Sequence, residues 1–207
     1  MVTMVDSPLL IAGLGNPGVQ YARNRHNVGF MVVDTIHESY DFGPWRAKFQ
    51  GYICEGKLQR RKTYLIKPMT YMNDSGLSVG AAARFLKLKP SAVVVMHDEI
   101  DLAAGKIKAK TGGGDAGHNG LRSITASLGP DYHRVRIGVG HPGRERVTGH
   151  VLQNFAKSDE DWLVPLLSAI AEAAPLLAEN DIVGFMNKAA LILHPQEHKP
   201  MPEKDGS

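Results

Sequence analysis

Two hydrophobic periods alternate along the chain. Leu9-Leu10-Ile11-Ala12 and Ala92-Val93-Val94-Val95-Met96 are unbroken apolar runs of strand length, the pattern of strands buried on both faces of a parallel sheet. Between them, Phe30, Val33, Ile36 and His37 recur at helical spacing, predicting a helix from about Arg25 to Tyr40. Phe49 to Gln59 and Lys62 to Lys67 alternate around a basic turn and read as an antiparallel pair that Pro68 stops. Asp74-Ser75 looks like the cap of an alanine-rich helix over Val79 to Leu88, ended by Pro90. Lys106 to Lys110 alternates cleanly, as a half-exposed strand does. Gly112-Gly113-Gly114 reads as a flexible or tightly approaching loop, Asn119 to Leu128 as a short helix and Val135 to Gly140 as an inner strand. Trp162 to Ala178 and Phe185 to Leu193 close the pattern as helices.

The order βα, ββα, β, βα, βα predicts an α/β fold: one twisted, mixed, mostly parallel sheet with helices on both faces. At 207 residues and 43% apolar composition the chain fits one domain, expected over 9–193, after a loose leader to Pro8. Residues 194–207, rich in Pro, Lys and Glu, read as a flexible tail. No apolar run approaches the roughly 20 residues that span a bilayer, and no secretory signal is evident. The single cysteine, Cys54, forbids an intrachain disulfide and makes a cytoplasmic setting the default.

Charge changes the picture only where it is concentrated. The net charge is +3, yet Lys106 to His150 holds eight Lys or Arg against three acids. A basic block inside a fold is either a solvated face or the footprint of a polyanionic partner.

Candidate chemistry sits where strands end, because ligands of open α/β sheets bind at the carboxyl edge. Gly13, Gly15 and Gly18 spell the spacing of a dinucleotide turn. Pro17 removes an amide proton from that turn, the helix begins well after Gly18, and no acid ends a second strand at the expected distance. His26 opens the first helix, and Asp98 ends the central strand. If they meet, the carboxylate fixes the imidazole tautomer and favours the imidazolium, while a helix N-terminus favours the neutral ring. Such a balance holds a base active near neutral pH. No G-x-S-x-G elbow is present, Ser75 is explained by capping, and Cys54 lies mid-strand in apolar company, so water is the economical nucleophile. A metal reading rests on His97, Asp98, Glu99 and Asp101, but lacks H-E-x-x-H, and neighbours along a strand diverge. Asn16, Asn73 and Asn119 all fall at loop ends. They are either turn residues or neutral amides that bind a carbonyl.

Six motifs occur in order: Gly13-Leu14-Gly15-Asn16-Pro17-Gly18, Asn24 to Gly29, Lys67 to Gly76, Asp98 to Asp101, Gly112 to Gly114 with Gly117 to Leu121, and Gly138 to Gly143. Together they resemble the bacterial-type peptidyl-tRNA hydrolases from about Leu9 to Leu191. The resemblance implies cleavage of the ester joining a peptide to the 3′-terminal ribose of tRNA, with His26 as general base and Asp98 orienting it. It implies that Asn73 and Asn119 hold substrate and water, and that Asn16 helps to tell N-blocked from free aminoacyl-tRNA. Tyr21, Tyr71, Met72 and His118 would contact substrate, and Lys110 and Arg136 the tRNA 5′-phosphate. No cofactor, metal or membrane partner is expected, and the chain is expected to act as a monomer in translation. An RNA-binding module without activity, on the same fold, is the alternative. Asp115-Ala116 departs from the family pattern of His-Gly or small residues, which leaves that loop's role open.

Overall fold

The two apolar runs become neighbouring central strands. In a computed structural model, which describes residues 7–143 and 147–195, β1 (Leu9–Gly13) runs parallel to both β4 (Arg61–Pro68) and β5 (Val93–Glu99). β7 (His133–Gly138) extends the parallel centre. The edges are antiparallel: β3 (Gly51–Leu58) with β2 (Arg46–Lys48) on one side, β6 (Ile107–Thr111) on the other. The resulting order is β2-β3-β4-β1-β5-β7-β6.

Helices α1 (Val28–Ser39), α5 (Glu160–Ala178) and α6 (Ile182–Leu193) cover one face, burying Val32, Ile36, Leu166, Ile170 and Phe185 against Leu9, Ile11, Val94 and Met96. α2 (Ser75–Phe85) and α3 (Asn119–Leu128) cover the other, over Leu10, Ala12, Val93 and Val95. Complete burial of β5 follows from this double cover. α5 is long and apolar enough to cross a membrane by length and composition alone. Half of its most apolar stretch is packed inside the protein's own core.

Several boundaries differ from the sequence pattern. The first helix starts as a 3-10 turn, Arg25–Asn27, before α1. α2 begins at Ser75 and stops at Phe85, where Lys87 takes a left-handed φ of 54° and Leu88 N–H reaches back to Ala83; Pro90 only opens the next turn. Neither Asp74 nor Ser75 caps it: Asp74 makes no capping bond, and Ser75 Oγ donates to the Met72 carbonyl. β2 and α4 (Val147–Val151) have no sequence signal, being three exposed residues and a single turn. Of the flanking segments, 1–6 and 196–207 lie outside the described residues, as do Arg144, Glu145 and Arg146 of the basic block.

The glycine spacing near Gly13 has a packing cause. A Cβ on Gly13 would sit 2.2 Å from the Gly29 carbonyl oxygen, and one on Gly29 2.3 Å from Leu14 N. α1 can therefore press onto the ends of β1 and β5, which brings His26 to the sheet edge. The turn of Gly13 to Gly18 is filled by protein rather than shaped around a pyrophosphate.

Candidate active site

β5 outruns its apolar segment by three polar residues, His97, Asp98 and Glu99, all buried. Burying a carboxylate is costly unless it is hydrogen-bonded, and Asp98 is bonded twice at one oxygen. Its Oδ1 lies 2.8 Å from His26 Nδ1 and 3.0 Å from His118 Nε2. Residues 72 and 20 positions away in sequence thus converge on one atom. Burial alone would raise the Asp98 pKa, but the two imidazoles more than offset it and hold the carboxyl well below its ordinary range. Burial likewise pulls the His26 pKa down, and the Asp98 charge and hydrogen bond outweigh that, so the ring ends above its ordinary 6.5. The carboxylate influence expected on His26 is present, and what it outweighs is burial. Nδ1 is committed to Asp98, which leaves Nε2 for the cleft.

His118 is the N-cap of α3, and its Nδ1 accepts the Leu121 N–H at 3.3 Å. An acceptor at Nδ1 puts the proton on Nε2, so the ring donates to Asp98. His118 lines the cleft while one ring nitrogen holds the Asp98 carboxylate and the other caps a helix. Burial and the neighbouring His118 ring push the His97 pKa down to about 3. Burial pushes the Cys54 thiol up to about 12, as its mid-strand position suggests.

Asn16 is fixed from three directions. Its N–H donates to Asn27 Oδ1 and its carbonyl accepts Asn27 Nδ2, both at 2.9 Å, while its Oδ1 accepts the Met72 N–H at 2.8 Å. The side-chain Nδ2 is the group left over. Asn27 was invisible as a site residue in the sequence, although the Asn-pair geometry needs a buried amide beside His26.

Asn16, His26, Asp98 and His118 line a cleft of about 570 Å³ that also takes in Tyr71, Met72, Asn73 and Asn119. Asn73 and Asn119 are exposed, Asn119 in the first turn of α3. The opposite wall is apolar, with Ile100, Val147, Val151 and Leu152. Sequence reasoning missed this wall, because α4 is too short to show a period. Tyr21, in the 3-10 turn Val19–Tyr21, is not among the lining residues. Lys110 and Arg136 lie apart from the cleft, on the β6–β7 edge. There, register pairs Lys108 with Arg136 and Lys110 with Arg134, so four cations share one face. Arg136 Nε is bonded to Glu99 Oε2 at 2.9 Å. The glycine-rich loop beside this edge is anchored at two points: Gly112 N–H donates to the Tyr132 carbonyl, and buried Arg134 donates to that of Gly114.

The ligands considered for a metal, His97, Glu99 and Asp101, do not gather. His26, Asp98 and His118 do, with one donor atom each within 4.8 Å. The donor set fits a cation poorly, because His118 Nε2 carries the proton that its capping bond at Nδ1 requires.

Fold and site together define an α/β protein with a histidine–carboxylate pair open to a cleft at the carboxyl edge of its sheet, flanked by amides and a basic face. The profile of the peptidyl-tRNA hydrolase family matches residues 10–199. A peptidyl-tRNA hydrolase of Novosphingobium aromaticivorans is 62% identical over 183 residues, covering 88% of this chain and 96% of its own. One from Ruegeria pomeroyi is 60% identical over 183 residues, covering 88% and 77%. The crystal structure of peptidyl-tRNA hydrolase from Acinetobacter baumannii superposes with a TM-score of 0.84 at 40% identity, covering 88% of this chain and 94% of that one. The chain belongs to the peptidyl-tRNA hydrolase family.

Proposed function

We propose that this protein hydrolyses the ester between a peptide, or an N-blocked amino acid, and the 3′-terminal ribose of tRNA, with His26 as general base and no covalent intermediate. The observation that carries the reading is the 2.8 Å bond from His26 Nδ1 to Asp98 Oδ1 at the edge of an open cleft. Among the described residues no serine or cysteine lines that cleft, and its threonine, Thr148, has no side-chain hydrogen bond to a base, which supports water as the nucleophile.

In this scheme His26 Nε2 takes a proton from water and the hydroxide attacks the ester carbonyl. Side-chain amides of Asn73 and Asn119 stabilise the oxyanion. The C–O bond to the ribose breaks, the imidazolium returns its proton to the leaving 3′-oxygen, and an acid and a free tRNA result. An ester leaving group is good enough that no acyl-enzyme is required. Asn16 Nδ2 and the amides around it pair with the peptide bond of an N-blocked substrate. On free aminoacyl-tRNA an ammonium stands there, and amide donors are left unpaired. Tyr71 and Met72 pack against the substrate end, and Lys110 with Arg136 meets a tRNA phosphate. The reading sets the protein as a cytoplasmic monomer that returns tRNA to translation.

The test is incubation with N-acetyl-aminoacyl-tRNA beside the unblocked form. Release of the N-acetyl amino acid, with the unblocked ester spared, is the expected result; equal cleavage of both, or of neither, overturns the reading.

A further inference from the structure

The acid that interrupts the glycine-rich loop is bound into the site. Asp115 Oδ2 accepts Arg122 Nε at 3.3 Å, and the same guanidinium donates through Nη1 to Asn119 Oδ1 at 3.1 Å. On its other side, Asp115 Oδ1 accepts the Gly117 N–H at 3.2 Å, and its main-chain oxygen accepts the His118 N–H at 2.8 Å. Asp115 therefore ties the loop to the residue before Asn119 through its main-chain oxygen and, through its carboxylate and Arg122, to the Asn119 side chain.

The polarity of that contact matters. Reversing the Asn119 amide would set its NH2 against a guanidinium N–H, donor against donor. With Oδ1 taken by Arg122, the group left for the cleft is Nδ2, and a donor is what an ester carbonyl or an oxyanion needs. We propose that Asp115 and Arg122 are positioning residues that hold the Asn119 amide donor-first toward the substrate, an inference that rests on the hydrolase reading. The negative charge of Asp115 then serves the site and does not merely repel RNA. Both side chains are partly exposed, 32% for Asp115 and 62% for Arg122. The pair accordingly adds little to stability, and its variants are expected to fold.

Arg122 also borders a groove of about 620 Å³ between α2 and α3, where a phosphate contact is the rival role. The two roles give opposite signatures. Wild type, Arg122→Gln, Arg122→Lys, Asp115→Ala and the double variant Asp115→Ala/Arg122→Gln are assayed on N-acetyl-aminoacyl-tRNA and on the N-acetyl-aminoacyl ester of adenosine, which has no phosphate. Positioning predicts a fall in kcat of about 3- to 10-fold for Arg122→Gln and Asp115→Ala on both substrates. KM stays nearly unchanged, the double variant is no worse than either single one, and Arg122→Lys recovers part of the loss. A loss confined to KM on the tRNA substrate that shrinks with salt, with Asp115→Ala binding tRNA more tightly, overturns the proposal in favour of a phosphate contact. Should wild type cleave neither substrate, the hydrolase reading fails while the orientation is still decided by NMR. The Asn119 side-chain amide is then expected to be ordered in wild type and mobile in both single variants, and equal mobility in all three refutes the proposal.

Discussion

The two sides of the cleft are built differently. On the side of the proposed base, Asn16 and Asp98 are buried, His26 is nearly so, and each is tied to a partner on another element: His26 to β5, Asp98 to the cap of α3, Asn16 to Asn27 and Met72. On the amide side, Asn73 and Asn119 are exposed, and the only described tie between them and a neighbour is Arg122 on Asn119. The contrast teaches where error is tolerated. A general base must sit within hydrogen-bond reach of the water it activates, so its position is fixed by packing. Groups that meet a variable peptide gain from staying accessible. Damage should therefore be severe and mixed with instability on the first side, mild and purely kinetic on the second.

The sharpest break is His26→Ala. Removing the base is expected to lower kcat by about 10²- to 10⁴-fold while leaving tRNA affinity close to wild type, as read by single-turnover kinetics and a binding titration. Full turnover in that variant would show that another group accepts the proton. Asp98→Asn comes next. The Asp98 charge is what keeps the His26 pKa above 6.5 against the pull of burial. Without that charge burial prevails and the pKa falls, so the acid limb of the kcat–pH profile moves to lower pH. The plateau drops too, because an amide can accept from or donate to Nδ1 and no longer dictates the tautomer. A limb that stays put, or moves up, would remove Asp98 from the scheme.

How much of this could be read from the chain divides along the same line. The parallel centre of the sheet, the covering helices and the placing of Asp98 at a strand end all follow from period and length, signals that survive without tertiary context. Asn16, Asn73 and Asn119 were visible as loop-end amides and do line the cleft. His118, by contrast, carries no local sign that its ring bridges a helix cap and a carboxylate, since both bonds are non-repeating contacts. Asn27 reads as one polar residue at a helix start; its partner lies 11 residues back, across a turn. The wall from α4 and the β2 edge are too short for any period.

Asn27 sharpens the comparison because it sits on the buried side without facing the substrate. Asn27→Ala leaves the Asn16 N–H and carbonyl without their partners, a desolvation cost of about 1–3 kcal/mol per buried group. A lower midpoint in denaturant unfolding is expected, together with a loss of about tenfold in kcat/KM on N-acetyl-aminoacyl-tRNA and poorer rejection of the unblocked ester. Were stability to fall with discrimination intact, Asn27 would be a fold residue only.

The smallest effect belongs to the basic edge, and here the choice of residue decides whether a test is clean. Arg136 is bonded to Glu99, whose side chain is 7% exposed, and Glu99 Oε1 in turn accepts the Asp101 N–H. Truncating Arg136 strands a buried carboxylate at the end of β5, one residue from Asp98, so its effect would mix tRNA contact with disturbance of the site. Among the described residues Lys110 has no ion pair, and its ammonium lies over Gly113 in the anchored loop. Lys110→Ala should therefore raise KM a few-fold at low salt and leave kcat alone. The slope of log KM against log salt should shrink by about 0.7–0.9, the share of one phosphate. The same few-fold loss at every ionic strength would mean that Lys110 meets no phosphate. Lys110 would then belong to a solvated edge, because Arg134 beside it is buried and Arg136 is held by Glu99.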